Sequence, residues 1–322
     1  MTTAAPAVAP PPGLDTPDWG GFDPARTRGR GLEDINRSFW TAARLGWQIE
    51  ANWTDPLLFF IYSVAKPVSA ALMLVVMLEV IGGATARELR GFVVVGSALW
   101  AFVLSGIAGL GWSILDDRER YRMLKYVYVA PSDFLVVLLG RGVARLAVGA
   151  MGAAITLALG VVALGVTFDA GRVHWPLLLA VALVGIVAIV AVGIVLAAVC
   201  IQTRQESWSY PEAVAGALFL VTGAVFPLTV LPPAVQAIGL LTPVTWWLAG
   251  VREALFPGGL SSVGGAGSLW TELTHRAAPS GGEIVLALLL TGALATLAST
   301  AVFRISERRA KEAGLLDMTT GS

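Results

Sequence analysis

Six runs of apolar residues divide the chain, at 57–80, 91–115, 146–168, 175–201, 211–230 and 283–303. Each is near the roughly 20 residues a helix needs to cross about 30 Å of hydrocarbon, and over such a distance helices keep every backbone group paired within the segment. The pattern predicts an all-α polytopic membrane protein whose six transmembrane helices occupy 56–303. A further apolar stretch, 231–255, is interrupted by Pro232, Pro233 and Pro243 and ends in Arg252 and Glu253. Proline removes a helical hydrogen-bond donor, so this stretch predicts a broken, re-entrant pair of short helices between the fifth and sixth spans. Arg252 and Glu253 are expected to pair at its boundary, with a gating or structural role.

Before the first span, Leu32, Ile35, Phe39, Ala42, Gly46, Ile49 and Trp53 recur at helical spacing. Trp40 and Trp47 widen the apolar face, and Glu33, Asp34, Arg37, Arg44 and Glu50 lie opposite. This predicts an amphipathic helix over 32–55 lying in the membrane interface. Residues 1–31 carry Pro6, Pro10, Pro11, Pro12, Pro17 and Pro24 among alanine and glycine and read as a disordered cytoplasmic tail. Residues 304–322 form a second cytoplasmic tail. The Gly- and Ser-rich stretch 256–282, with its WTELTHR segment, reads as an outer loop.

Composition agrees with the pattern. The 322 residues are 56% hydrophobic and 14% charged, and the mean hydropathy is +0.74, above ordinary soluble domains. A formal net charge of zero gives no reason to expect nucleic acid as a partner. Cys200 is the one cysteine and sits in an apolar run, which leaves it a packing role. His174 and His275 stand alone in predicted outer loops, so no metal site is expected.

Charge is distributed unevenly along the chain. With the amino terminus inside, sixteen Lys and Arg residues fall in inner segments and five, Arg87, Arg90, Arg172, Arg252 and Arg276, in outer ones. Positive residues favour the cytoplasmic side, so both termini are expected in the cytoplasm and the protein in the plasma (inner) membrane. The same topology makes 116–133, DDRERYRMLKYVYVAPSD, a cytoplasmic loop. In it Asp116 to Arg122 alternate in sign, and Met123, Leu124, Tyr126, Val127, Tyr128 and Val129 form a short apolar and aromatic surface stopped by Pro131. Such a helix suits docking against a partner protein. The same arginines also fit a solvated turn that only fixes topology.

Within the spans, Lys66 lies about ten residues into the first and near mid-bilayer, where it must face protein or a water-filled path. It is a candidate contact for an anionic headgroup or substrate, or the partner of Glu212 in an internal pair. Pro67 beside it kinks the helix or marks its start. Glu79 is expected to snorkel at the outer end of that span. Glu212 follows Pro211 at the start of the fifth span, where a carboxylate suits a helix amino terminus, with capping favoured over gating. Trp246 and Trp247 fit an interface belt better than a substrate path.

Two stretches carry a resemblance. DDRERYRMLKYVYVAPSDFLVVLLGR is similar to the loop between the second and third spans of ABC-2 type transporter permeases, down to Pro131 and the run Leu138, Leu139, Gly140, Arg141. Residues 219–255 resemble the stretch after that family's fifth span, through Gly223, Phe226, Pro227, Leu231, Pro232, Thr242, Pro243 and Arg252. Many members carry Gly-Thr where this chain has Tyr121 and Arg122, a departure that bears on subfamily and substrate.

The resemblance implies the transmembrane permease subunit of an ATP-driven ABC exporter. Its 116–133 loop would hold a coupling helix docked on a cytoplasmic ATPase subunit, with Asp117, Glu119, Arg120, Leu124, Tyr126 and Pro131 as contacts. Two ATPase copies would serve a homodimer or heterodimer of permeases in the lipid bilayer, and Lys66, Phe226, Trp246 and Trp247 are candidates for the substrate path. Pro227 joins Glu212, Arg252 and Glu253 as gating or structural residues. The chain has no G-x-x-x-x-G-K-[ST] phosphate loop, and none of Lys66, Lys125 and Lys311 follows a glycine-rich turn. No cofactor is therefore expected on this chain, and ATP and Mg belong on the partner ATPase. The cargo classes are a small amphiphile, drug or lipid, with lipid-linked polysaccharide as the alternative. A secondary transporter, which would show repeats and intramembrane carboxylates, is the alternative from another class. A membrane enzyme or a purely structural scaffold is less well matched.

Overall fold

The computed structural model describes residues 31–51, 56–82, 86–130, 132–163, 165–166, 169–203 and 208–314. Among them the chain is mostly helical, with no strand. The order is α1 (Leu32–Ala51), α2 (Pro56–Gly82), α3 (Ala86–Leu115), α4 (Leu124–Val129), α5 (Phe134–Val162), α6 (Trp175–Gln202), α7 (Ser209–Val221), α8 (Pro233–Leu241), α9 (Pro243–Leu255), α10 (Leu269–Thr274) and α11 (Gly281–Glu312). Much of the expected tail at 1–31, the last residues of the 304–322 tail, Trp53, Pro131 and the side chain of Lys66 lie outside the described residues.

Among the described residues four helices are long and apolar enough to cross a membrane: α3 with the turn that follows it, α5, α6 and α11. The bent pair of α8 and α9, at 83° to each other, makes a fifth if it is one broken span. Proline sets that bend. Pro233 opens α8 and Pro243 opens α9, each at a first-turn position that needs no amide donor. The break expected in 231–255 is therefore present. α2 runs 27 residues over the first predicted span. α7 is shorter than the run 211–230: it stops after 13 residues at Val221, about 20 Å at 1.5 Å per residue. Gly223, at φ 70°, and Pro227 turn the chain away there.

Apolar residues cover the outside of the bundle as well as its interior. Leu179, Leu183 and Val187 on α6, and Leu286, Leu290, Leu294 and Leu297 on α11, are all exposed. Continuous apolar faces of this kind are stable against lipid tails. The interior is built around α3, which packs on α2, α5, α6, α7 and α9 and buries Val95, Leu99, Val103, Ile107, Leu110 and Ile114. Small residues set the crossing distances, as expected where packing and not water drives association. Gly193 of α6 lies against the backbone of Gly106 and Ile107, and α1 seats Ala42, Ala43 and Gly46 on Gly140, Arg141 and Ala144 of α5.

The helix ends show ordinary capping. Asp133 accepts the amide of Leu135 at 2.9 Å to start α5. Ser280 and Glu283 form a reciprocal capping box at α11. The 256–282 stretch is built, with α10 capped by Ser268, whose hydroxyl accepts from Thr271 N at 3.1 Å. Gln236 ties it to α8 by accepting the amide of Leu269 at 2.7 Å.

Candidate functional site

One end of the bundle gathers the charged segment 116–133 together with the carboxyl ends of α1, α6 and α11. The α3 helix widens there into a π-helical turn at Asp116–Arg120, in which the amide of Tyr121 reaches the carbonyl of Asp116 at 2.8 Å. Successive residues of that turn point to different neighbours. Asp116 accepts Arg145 at 2.8 Å, and Arg145 also meets Glu50 of α1 at 2.8 Å. Asp117, 5% exposed, forms an ion pair with Arg141, 4% exposed. Arg118 donates to the carbonyls of Cys200 at 3.1 Å and Thr203 at 2.9 Å, closing the carboxyl end of α6 where a cation is favoured.

Across the loop, Asp133 takes Arg304 of α11 at 2.8 Å, Arg304 meets Glu307 at 3.3 Å, and Gln202 donates to Ser306. The segment is thus clamped to α1, α5, α6 and α11. Burial raises the Glu50 carboxyl above its ordinary range, against the lowering pull of Arg145. Desolvation there exceeds the gain from pairing, and Arg145 keeps Asp116. Glu50→Gln should therefore shift stability by less than about 1 kcal/mol, read as the thermal midpoint of the purified protein.

Between the clamps the loop presents a different face. Leu124 is buried at 2% and packs into the core, whereas Tyr126 is 68% exposed. Arg120 lies over the ring of Tyr121 at 5.6 Å and Lys125 over that of Tyr126 at 5.7 Å. These two cation–aromatic pairs, with Arg122 between them, form a basic and aromatic surface. Arg122 holds φ at 50°, a left-handed conformation unusual for a residue with a Cβ.

The opposite end holds a buried cation. Arg252 of α9 is 5% exposed and lies over Phe92 at 3.7 Å. It donates to the carbonyls of Gly223 at 2.7 Å, Ala224, and Phe92 at 3.4 Å. Gly96 leaves the space for it, since a Cβ there would collide with Ala224 O and the guanidinium.

The profile of the ABC-2 type transporter family matches residues 39–256, from within α1 to the end of α9. This chain belongs to that family. It is a multi-pass transmembrane permease of the ABC transporter class, the kind of subunit that works with an ABC ATPase. A comparison with curated proteins finds no match.

Several expectations for the permease change on the structure. Leu124 cannot offer its side chain to a partner, because it is enclosed by this subunit. Asp117 is likewise turned inward to Arg141, and Glu119 to Arg118 at 2.8 Å. Of the named loop residues that are described, Arg120 and Tyr126 are the ones exposed. Arg252 and Glu253 do not pair. Neighbours in a helix point about 100° apart, and Glu253 accepts the amide of Gly258 at 3.3 Å instead.

Trp246 and Trp247 are buried, each 4% exposed, and form no interface belt. Trp246 donates to Leu240 O at 2.7 Å and meets Trp270 edge-on. Trp247 stacks on Phe102 at 5.5 Å. They anchor α9 inside the bundle. Glu212 sits exposed in the first turn of α7. Phe226 is half-buried, and Pro227 precedes the short 3-10 turn Leu228–Val230. Glu79 is paired with Arg90. Among the described residues no cluster of potential metal ligands occurs.

The clamp residues Arg118, Arg141 and Arg145 were missed as functional candidates. In the sequence they stand out as positive charges, Arg141 also as the end of the run that carries the family resemblance. Arg141 and Arg145 stand four apart, on one face of a helix. Paired with Asp116 and Asp117 at the facing helix end, that spacing is the signal for a buried ionic join.

Proposed function

We propose that this permease moves an amphiphilic or lipid-like cargo outward, driven by ATP hydrolysis on a separate ATPase subunit. In this reading the charged end is cytoplasmic and the protein lies in the plasma (inner) membrane. The chain makes six passes, α2, α3, α5, α6, α7 continued by the turn that follows it, and α11, with α8 and α9 re-entrant between the last two. Two permeases, identical or different, pair with two ATPases that carry ATP and Mg. α1 lies in the interface with Trp40 and Trp47 exposed toward the headgroups.

The observation that carries the reading is the construction of the loop. It is clamped to α5 and α11 by ion pairs, to α1 through Arg145, and to α6 by the hydrogen bonds of Arg118, and it carries an exposed surface of Arg120, Tyr121, Arg122, Lys125 and Tyr126. A push on such a surface moves the helix ends as a body, which is what conversion of nucleotide-driven closure into rocking of the spans requires. Aromatic and arginine residues are also those that dominate binding energy at protein interfaces.

The test is co-purification. With Lys125→Glu and Tyr126→Asp combined, the permease should insert and fold as before but retain less than about a tenth of its ATPase partner. Full retention would refute docking at this face.

A further inference from the structure

Two cavities lie at the end remote from the charged loop. The first, about 410 Å³, is bordered by Arg90, Arg252, Glu253, Ser261 and Ser262 among apolar residues. The second, about 270 Å³, is walled by Val94, Leu157, Ala158, Val161 and Leu255 and has almost no polar surface. The two share Val95, Val166 and Phe256 in their walls. A polar compartment is therefore joined to an apolar one.

The polar compartment is not neutral. Arg252 carries its charge into the interior with carbonyls and one ring as its partners, and among the described residues no carboxylate pairs with it. Its Nε has no hydrogen-bond partner. Ser262, 1% exposed, has a hydroxyl that is also unpartnered. Arg90 adds a second cation, shared with Glu79 at an exposed position. Glu253 stands at the border between this cavity and a neighbouring one lined by His174, and it is engaged by the amide of Gly258. A buried cation without a counter-charge is costly and favours an anion beside it.

The apolar compartment meets α5 where Ala158 and Val161 are exposed, on the face that borders lipid. A chain entering from the membrane reaches it without crossing polar surface.

We propose that the paired cavities hold one anionic amphiphile, its phosphate or carboxylate between Arg90, Arg252 and Ser262 and its hydrocarbon chain along Ala158 and Val161. This rests on the permease reading above and names the chemical class of its cargo or of a bound lipid. It also replaces Lys66 as the site of headgroup recognition with groups at the far end of the bundle.

The experiment uses the full-length permease in detergent, without ATPase, with binding read by native mass spectrometry and by thermal stabilisation. Probes are dioleoyl phosphatidic acid, dioleoylglycerol and inorganic phosphate. The proposal expects phosphatidic acid to bind at least about tenfold more tightly than either of the others, since it alone uses both compartments. Arg90→Gln and Ala158→Trp should each weaken it by about tenfold without shifting the ligand-free melting temperature. Arg252 is left intact because it also holds three carbonyls.

Equal binding of dioleoylglycerol would overturn the charged headgroup. Binding of phosphate alone as tightly as the lipid, insensitive to Ala158→Trp, would overturn the amphiphile class, and absence of all binding would overturn the site. ATPase co-purification with the unaltered permease separates the two readings. No lipid binding with the ATPase retained sinks the site alone, whereas lipid binding with no ATPase partner sinks the exporter reading.

Discussion

Replacing Arg141 with Met should destabilise the protein by about 3–5 kcal/mol, the cost of stranding a buried carboxylate. Asp117 is 5% exposed and is held by Arg141. Once the guanidinium is gone it has neither water nor a counter-charge. Asp117→Asn leaves Arg141 buried beside a neutral amide and should cost somewhat less, because the long arginine stem can shift its head toward solvent.

The informative comparison is the double variant Arg141→Met with Asp117→Leu. If the harm of the single change comes from an uncompensated charge, removing both charges should recover most of the lost stability. Thermal unfolding of the detergent-solubilised protein checks this. A double variant as unstable as the sum of the singles would mean that the pair contributes directional contacts and not only charge balance. Because the pair joins the loop to α5, the single variant should also lose ATPase even where it still folds.

Arg252→Met is expected to cost at least about 3 kcal/mol. The carbonyls of Gly223 and Ala224 lose their donor together and that of Phe92, inside α3, loses a second one, and an unsatisfied buried acceptor costs roughly 1–3 kcal/mol. The desolvated cation over Phe92 adds to that loss. Lysine should rescue little. A single ammonium has no planar fork with which to bridge the turn after α7 and the α3 backbone at once. The measurement is the yield of monodisperse protein after solubilisation, with the melting temperature of what survives. A Met variant indistinguishable from wild type would show that water or lipid replaces the guanidinium, and that Arg252 does not hold the turn after α7 in place.

How far the sequence specified these features differs from element to element. The fourth predicted span, 175–201, coincides with α6, Trp175–Gln202, because its apolar run is bounded by His174 on one side and Thr203 on the other. The third did not coincide. α5 begins twelve residues before the predicted 146, since Arg141 and Arg145 read as the edge of a loop. Their charges are instead met by Asp117, Asp116 and Glu50 from other elements. Hydropathy along one strand of sequence does not register a counter-charge supplied from another helix.

The run 211–230 has the same limitation in reverse. It is apolar apart from Glu212, Thr222 and Thr229, but Gly223 and Pro227 end the helix inside it, and hydropathy is blind to the backbone. The short helix of the charged loop was legible in the apolar and aromatic run Met123 to Val129. Which side of that short helix faces inward was not, because six residues carry too little periodicity to orient it. Leu124 inward and Tyr126 outward follow from packing on the rest of the bundle.

The claim that this loop is the cytoplasmic docking face is tested most directly by thiol labelling at Tyr126. Cys200 is the protein's one cysteine and is fully buried, so Tyr126→Cys supplies a single accessible thiol in an otherwise native chain. A membrane-impermeant maleimide should label this variant in inside-out vesicles stripped of the ATPase, fail to label it in intact cells, and be blocked when the ATPase is restored. Labelling in intact cells, or labelling that the bound ATPase leaves unchanged, would contradict the account.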